Sequence, residues 1–333
     1  MCARALSRRA LFTFDVANTV EAPTRWLRVH RTAMACRFEV TLCEDDAGWL
    51  DAARTALDEA DRVEALLTAF RPSSELSRVN REAFAGAAGV DEELWALLRR
   101  CVDLHAATAG TFDITAAPLS RCWGFLRREG CVPSNADIES ARSLVGMSGV
   151  RFDETARDVR FKRSGMELNL GAIGKGYALD RMAGVLRGLG VRRALLSAGS
   201  SSVLALGAPP GGWPIDLRSP QVRRQRLARA YVRDGALGTS GPGEQFIVAD
   251  GVRYGHVIDP RSGWPARGVL SASAIAADAT RADALSTAFL VGGPALAEQY
   301  CREHPDTLAL LTLDDGTERP RVFGSYAGAA LED

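Results

Sequence analysis

What most limits the fold of this chain is the grouping of its extended segments. They come in runs, and helical segments stand between the runs instead of after each strand. Residues 26–29 and 38–42 read as strands from their β-branched and aromatic content. A long helix is expected over 46–70, where Leu50, Ala53, Leu57, Val63, Leu66 and Phe70 recur at helical spacing. A second covers 91–107 with Asp91 as its cap, and a short third covers 137–144. Short strands follow at 150–152, 159–162 and 166–170, then a helix over 175–189 that stops at Gly190. Strands at 193–206, 215–218, 227–232, 245–249 and 254–258 precede two helices, 280–291 and 294–304, and a closing strand at 307–313. This order predicts an α+β fold, with mixed or antiparallel sheets flanked by helices.

The 333 residues suffice for one large domain or two ordinary ones. No internal repeat divides them, and the Pro/Gly stretch 207–214 is too short for a domain linker. Residues 1–24 carry little pattern and are expected to form a loose arm before a single domain over 25–333. With 41 basic and 41 acidic side chains the formal net charge is zero, so no nucleic-acid partner is expected. An anionic ligand would have to be held by local donors. The seven cysteines are odd in number and scattered without a CxxC pair, which points to free thiols rather than a zinc site or a disulfide framework. Ser7, Arg8 and Arg9 resemble a twin-arginine start, but Asp15, Asn18 and Glu21 break the apolar run that should follow. No apolar stretch is long enough to span a bilayer, so the chain as given reads as cytoplasmic.

Chemistry concentrates in a few segments. From Met166 to Asp180 an extended stretch enters a glycine-rich turn containing Lys175, and a helix begins there. Backbone N–H groups at a helix start beside a cation suit phosphate. The Walker A and GxGxxG spacings are both absent, and a plain strand–helix turn has the same composition. His256, one of four histidines, is placed at the end of a strand before the Asp259–Pro260 turn. Imidazole moves protons near neutral pH, although from the residues alone a hydrogen-bonded structural role is the preferred reading. Asp283 and Thr287 lie four apart on one helix face and offer two hard oxygens suited to Mg²⁺, or an ordinary first-turn carboxylate and a hydroxyl turned back on its helix. Residues 108–115 read as a capped turn, and Ser74 and Asn80 as capping residues.

Taken in order, these segments resemble one family, the FAD:protein FMN transferases, or ApbE family. The matching stretches are 73–80, 110–119, 168–181, 239–241, 256–263 and 282–293, together spanning about 31–293. The resemblance implies a flavin-transferase architecture related to the T-fold, with a catalytic domain over 25–333. It also implies an enzyme that cuts FAD and moves FMN onto a Thr or Ser of another protein, releasing AMP. On the matching positions, Asp283, Thr287 and the carbonyl of Ala172 would hold Mg²⁺ or Mn²⁺. Lys175, Thr111, Phe112, Asp113, Asp180, Met34 and Phe70 would bind the flavin dinucleotide, and His256 would be the base. FAD and an acceptor protein are then the partners.

The chain departs from the family pattern at several points. Met34-Ala35-Cys36 stands for the usual Met-Gly-Thr, and Ser197-Ala198-Gly199-Ser200-Ser201 for Asn-Ala-Gly-Gly-Asp. Leu168-Asn169-Leu170 replaces Leu-Asp-Leu, and Phe70 stands where a tyrosine is common. Relatives are usually exported, in contrast to the cytoplasmic reading. An FAD pyrophosphatase and a non-catalytic FAD binder are the alternatives.

Overall fold

The computed structural model describes residues 25–127, 130–222, 225–241, 245–317 and 319–332, so the expected arm at 1–24 lies outside the described residues. The described chain divides into two compact units, one made of 65–172 and 241–268, the other of 25–64, 173–240 and 269–332.

The second unit is built on an eight-stranded sheet. Its spatial order is Trp26–Ala33, Cys36–Cys43, Ala194–Ala198, Ser202–Leu206, Gly235–Ser240, Val269–Ala276, Leu308–Leu313 and Arg321–Gly324. Every neighbouring pair runs antiparallel. Because side chains alternate across a strand, the sheet has two distinct faces. Leu195, Val203, Leu237, Ile275 and Leu310 point to one of them and pack with Trp213, Ile215, Ala230 and Val232 of a three-stranded sheet. That smaller sheet comprises Ala329–Glu332, Arg226–Val232 and Trp213–Arg218. On the other face lie the helices Gly174–Gly188 and Ala279–Glu303. The latter breaks at Gly293 (φ +69°) ahead of Pro294, which is where the sequence separates its two helices.

Several strands depart from expectation, and two of them, Arg321–Gly324 and Ala329–Glu332, follow the strand expected to close the chain. The segment 193–206 is a hairpin rather than one strand, turning at Gly199 with φ +60°. Gly235–Ser240 and Val269–Ala276 were not foreseen, because glycine, alanine and serine carry little strand signal. Their small size is a packing requirement: a Cβ on Gly238 would lie 2.4 Å from the carbonyl oxygen of Ala282.

The first unit holds the helices Glu75–Glu82, Glu92–Ala107, Ala117–Cys122 and Asn135–Arg142. A three-stranded sheet (Ala88–Gly89, Asp158–Phe161, Val150–Asp153) and the hairpin Phe246–Ala249/Val252–Gly255 complete it. Leu119, Trp123, Phe125, Ile138, Ile247 and Ile258 form a core in which the Trp123 indole N–H donates to the carbonyl of Gly263. Asp91 and Ser74 cap their helices as read from the sequence.

The helix expected over 46–70 is a 3₁₀ turn, Glu44–Trp49, followed by an α-helix, Leu50–Leu67, which leaves Phe70 beyond its end. Residues 166–170 are extended but pair with no strand. The Asn80 amide takes the place of a partner, accepting from Leu168 N (2.8 Å) and donating to Leu168 O (2.9 Å), while Asn169 N donates to Ile114 O. The strand expected at 254–258 ends at Gly255, so His256 lies just past it.

Candidate active site

In the second unit the site grows from two helix starts. The helix Gly174–Gly188 has no side-chain cap of its own, and the first N–H groups of any helix lack intrahelical partners. One of these orphans, Gly176 N, donates to Asp283 Oδ2 at 3.0 Å. The reverse also holds. Asp180, on that same helix, accepts from Ala279 N and Thr280 N at 2.8 Å each and from the Thr280 hydroxyl. Each helix therefore has its N-terminus held by a carboxylate of the other, a favourable placement of negative charge against two helix dipoles.

The approach is close. A Cβ on Gly176 would lie 2.0 Å from the carbonyl oxygen of Ala279. Burial, with Asp278 nearby, pushes the Asp180 carboxyl above its ordinary range, and the Thr280 and Ala279 donors pull the other way. The resemblance assigned Asp180 to the flavin; the partner it has here is the start of the helix that carries Asp283 and Thr287.

Asp283 is 3% exposed and its second oxygen, Oδ1, accepts from Ser202 Oγ at 2.8 Å. Lys175 Nζ lies 3.8 Å from Oδ2. One turn on, the Thr287 hydroxyl is 3.1 Å from Ser240 Oγ, which also meets Ser286 Oγ at 2.8 Å. The side-chain donors are therefore a carboxylate and a hydroxyl, both hard oxygens. Each Asp283 oxygen has one short hydrogen bond and lone-pair capacity beyond it. This set fits a hard cation such as Mg²⁺, which keeps waters and takes substrate phosphate into its shell. Among the described residues no group of three or more His, Cys, Asp or Glu side chains gathers as a metal cage.

Met34, also in this unit, sits in the two-residue turn between Ala33 and Cys36, and its N–H donates to Glu64 Oε2 at 3.0 Å. Both turn residues have positive φ, Met34 +47° and Ala35 +56°.

The first unit carries the remaining candidates on turns. Thr111 and Phe112 are buried; Phe112 is 1% exposed and its carbonyl is 3.0 Å from His105 Nδ1. Asp113 Oδ1 accepts from Thr115 N (2.7 Å) and Thr115 Oγ1 (2.5 Å), and Oδ2 stands 3.5 Å from His105 Nδ1. His256 has Nδ1 3.2 Å from the Gln245 carbonyl and its ring edge-on to Phe125. Phe70 is 71% exposed on the rim of an open recess of about 630 Å³ that Asn80, Arg81, Phe84 and Met166 also line. Asn169 Oδ1 accepts from Gly171 N at 2.8 Å, and this side-chain turn shapes the chain just before Ala172.

The structure thus gathers Lys175, Asp180, Asp283 and Thr287 in one unit, and Phe70, Thr111, Phe112, Asp113 and His256 belong to the other. Sequence reasoning marked Ser202 only as one of the serines, at 197 and 200–202, that depart from the family pattern, and it missed Gly238 and His105. Ser202 and Gly238 are small residues on strands, with no spacing rule to connect them to residues near 283. His105 precedes Asp113 by eight positions across a turn, a separation at which no helical or strand periodicity applies.

Comparison with known proteins follows the same lines. A family model described as the ApbE family matches residues 34–312. An FAD:protein FMN transferase from Treponema pallidum is 32% identical over 270 residues, covering 76% of this chain and 74% of the relative. Another, from Klebsiella pneumoniae, is 33% identical over 228 residues, covering 68% and 71%. The crystal structure of the ApbE protein from Thermotoga maritima matches with a TM-score of 0.80 at 29% identity, over 90% of this chain and 97% of that one. The flavin transferase ApbE from Vibrio cholerae matches in fold with a TM-score of 0.76 at 22% identity, over 91% and 98%. The chain belongs to the ApbE family.

Proposed function

We propose that the protein is an Mg²⁺-dependent FAD:protein FMN transferase that places FMN on a Thr or Ser hydroxyl of an acceptor protein. The observation that carries this reading is the Asp283 carboxylate, buried beside Lys175 on a helix whose start Asp180 pins, one turn before the Thr287 hydroxyl. Relatives named FAD:protein FMN transferase support the substrate assignment. Asp283, Thr287 and the Ala172 carbonyl would hold the metal, which when bound neutralises pyrophosphate charge and favours in-line attack.

The chain's own groups do the rest. Lys175 places positive charge against the phosphates beside the metal position. Phe70, which is exposed, would offer a ring face to the flavin, and on the family pattern Met34 and the 111–113 turn would be further flavin-binding positions. In the tautomer whose Nδ1–H donates to the Gln245 carbonyl, His256 has its lone pair on Nε2, the form that a general base requires. His256 takes the acceptor proton, the acceptor oxygen forms its bond to the FMN phosphorus, and the anhydride bond breaks with AMP leaving.

The test is to incubate the protein with FAD, Mg²⁺ and a Thr-containing acceptor, following AMP release and acceptor mass. The expected result is a gain of one FMN per acceptor. Both signals should fall in Asp283→Ala by about a thousandfold, corresponding to several kcal/mol of transition-state stabilisation. Equal AMP and free FMN with the acceptor left unmodified would instead identify a hydrolase, and intact FAD throughout would identify a passive binder.

A further inference from the structure

The face of the eight-stranded sheet beneath the helix Ala279–Glu303 carries three residues in register. Ser202 pairs directly opposite Gly238 on the neighbouring strand, and Ser240 lies two positions beyond Gly238, so all three point the same way. Gly238 is where the helix touches down: a Cβ there would meet Ala282 O at 2.4 Å and Asp283 N at 2.8 Å. The two serines flank that contact. Ser202, fully buried, donates to Asp283 Oδ1 at 2.8 Å, and Ser240 Oγ lies 3.1 Å from the Thr287 hydroxyl.

We infer that Ser202 is a positioning residue for the metal site, setting the plane of the Asp283 carboxylate; the inference rests on Asp283 being a metal ligand. A carboxylate turns about its last bond, and one hydrogen bond, Gly176 N to Oδ2, leaves that rotation open. A second donor on the other oxygen, from a different element, closes it. With the plane fixed by a helix N–H on one side and a strand hydroxyl on the other, the remaining lone pairs keep one direction. The cation then meets an oxygen that need not be ordered on binding. Partners that orient a metal ligand in this way are worth ten- to a hundredfold in metal affinity.

Gly238 explains why a serine fits. The helix rests directly on the sheet there, so the neighbouring strand has room beneath Asp283 for a short side chain with one donor. The side chain at position 202 is therefore matched to the helix height that Gly238 sets.

The test is a Mn²⁺ titration of the full-length protein holding FAD, without acceptor, in which free Mn²⁺ is read from its electron paramagnetic resonance signal. Ser202→Ala should weaken Mn²⁺ binding about tenfold or more. Ser202→Thr, which retains the hydroxyl, should bind close to wild type. Ser273→Ala is the control: its hydroxyl lies 2.8 Å from Thr239 Oγ1, a buried pair on the opposite sheet face, so it loses a comparable contact without touching Asp283. It should leave Mn²⁺ affinity unchanged.

Asp283→Asn separates the two levels. If it abolishes binding while Ser202→Ala binds like wild type, the positioning role is overturned and the metal reading stands. Equal losses in Ser202→Ala and Ser202→Thr would make position 202 a packing site and also overturn the inference. If Asp283→Asn binds as well as wild type, or wild type binds no Mn²⁺, the metal reading falls and the inference with it.

Discussion

Two carboxylates in this protein, Asp283 and Asp113, are both almost fully buried, yet they are held in different ways. Asp283 draws its donors from a distant helix start and a distant strand, Gly176 N and Ser202 Oγ. Asp113 draws both short bonds from Thr115, two residues away, with His105 next in range. The first arrangement exists only when the whole unit is assembled. The second is a local turn that forms with little help from elsewhere. Long-range support ties a side chain's geometry to global stability, and local support leaves it to the loop. Loss of packing should therefore disturb the Asp283 cluster, whereas the turn-borne groups, His256 included, should respond to changes in their own chemistry.

The largest effect after removal of Asp283 itself is expected at His256. His256→Gln should lower transfer about a hundredfold, within the range for a general base. Its Mn²⁺ affinity and unfolding midpoint should stay at wild-type values, because Gln keeps a side-chain donor for the Gln245 carbonyl. A drop in metal affinity would mean that His256 and the Asp283 cluster are not independent.

Gly176→Ala should act in the opposite way. The added Cβ would lie 2.0 Å from Ala279 O, 2.5 Å from Ala279 C and 2.8 Å from Asp283 Cβ, with backbone on two of the three sides. The helices must separate, at a cost of about 3 kcal/mol, the upper part of the range for overpacking. Denaturant unfolding measures this directly. The same variant should bind Mn²⁺ more weakly, since Asp283 moves with its helix. Unchanged stability would mean that the helix pair accommodates the methyl and that the cluster is less rigid than its contacts imply.

The two regions also differ in how far the sequence foretells them. The helix capped by Asp91 and the cap at Ser74 were legible because caps are local, and so was the break before Pro294, although the helix Glu75–Glu82 that Ser74 caps was not itself expected. The α+β class followed from the grouping of strands. The Asp283–Thr287 pair was visible as an i, i+4 spacing, but its supports were not. Ser202 and Gly238 lie 81 and 45 positions before Asp283, and a one-dimensional pattern cannot join them. Strand Gly235–Ser240 looked like loop because the residues that let a helix lie close are those with weak strand propensity. Residues 166–170 misled in the other direction. Their apolar alternation is that of a strand, and a single side chain, Asn80, satisfies the backbone that a strand would have paired.

The smallest effect tests whether strain has been retained on the rigid side. The turn at Met34 and Ala35 needs positive φ at both residues, the geometry that favours glycine in a two-residue hairpin. An L-residue in that region costs about 1–2 kcal/mol, and glycine gives back part of this through its larger unfolded-state entropy, about 0.5–1 kcal/mol. Ala35→Gly should therefore stabilise the protein by about 0.5 kcal/mol, seen as a small rise in the thermal midpoint. Met34 keeps its own positive φ in that variant, and the Met34 N–H to Glu64 bond still anchors the turn. A stabilised variant with unchanged FAD affinity would make Ala35 an ordinary strained residue that the sheet tolerates. A stabilised variant that binds FAD more weakly would mean that the stiffer alanine holds Met34 in place against the flavin. The strain would then belong to the site, and long-range support in this unit would extend from the Asp283 cluster to the hairpin.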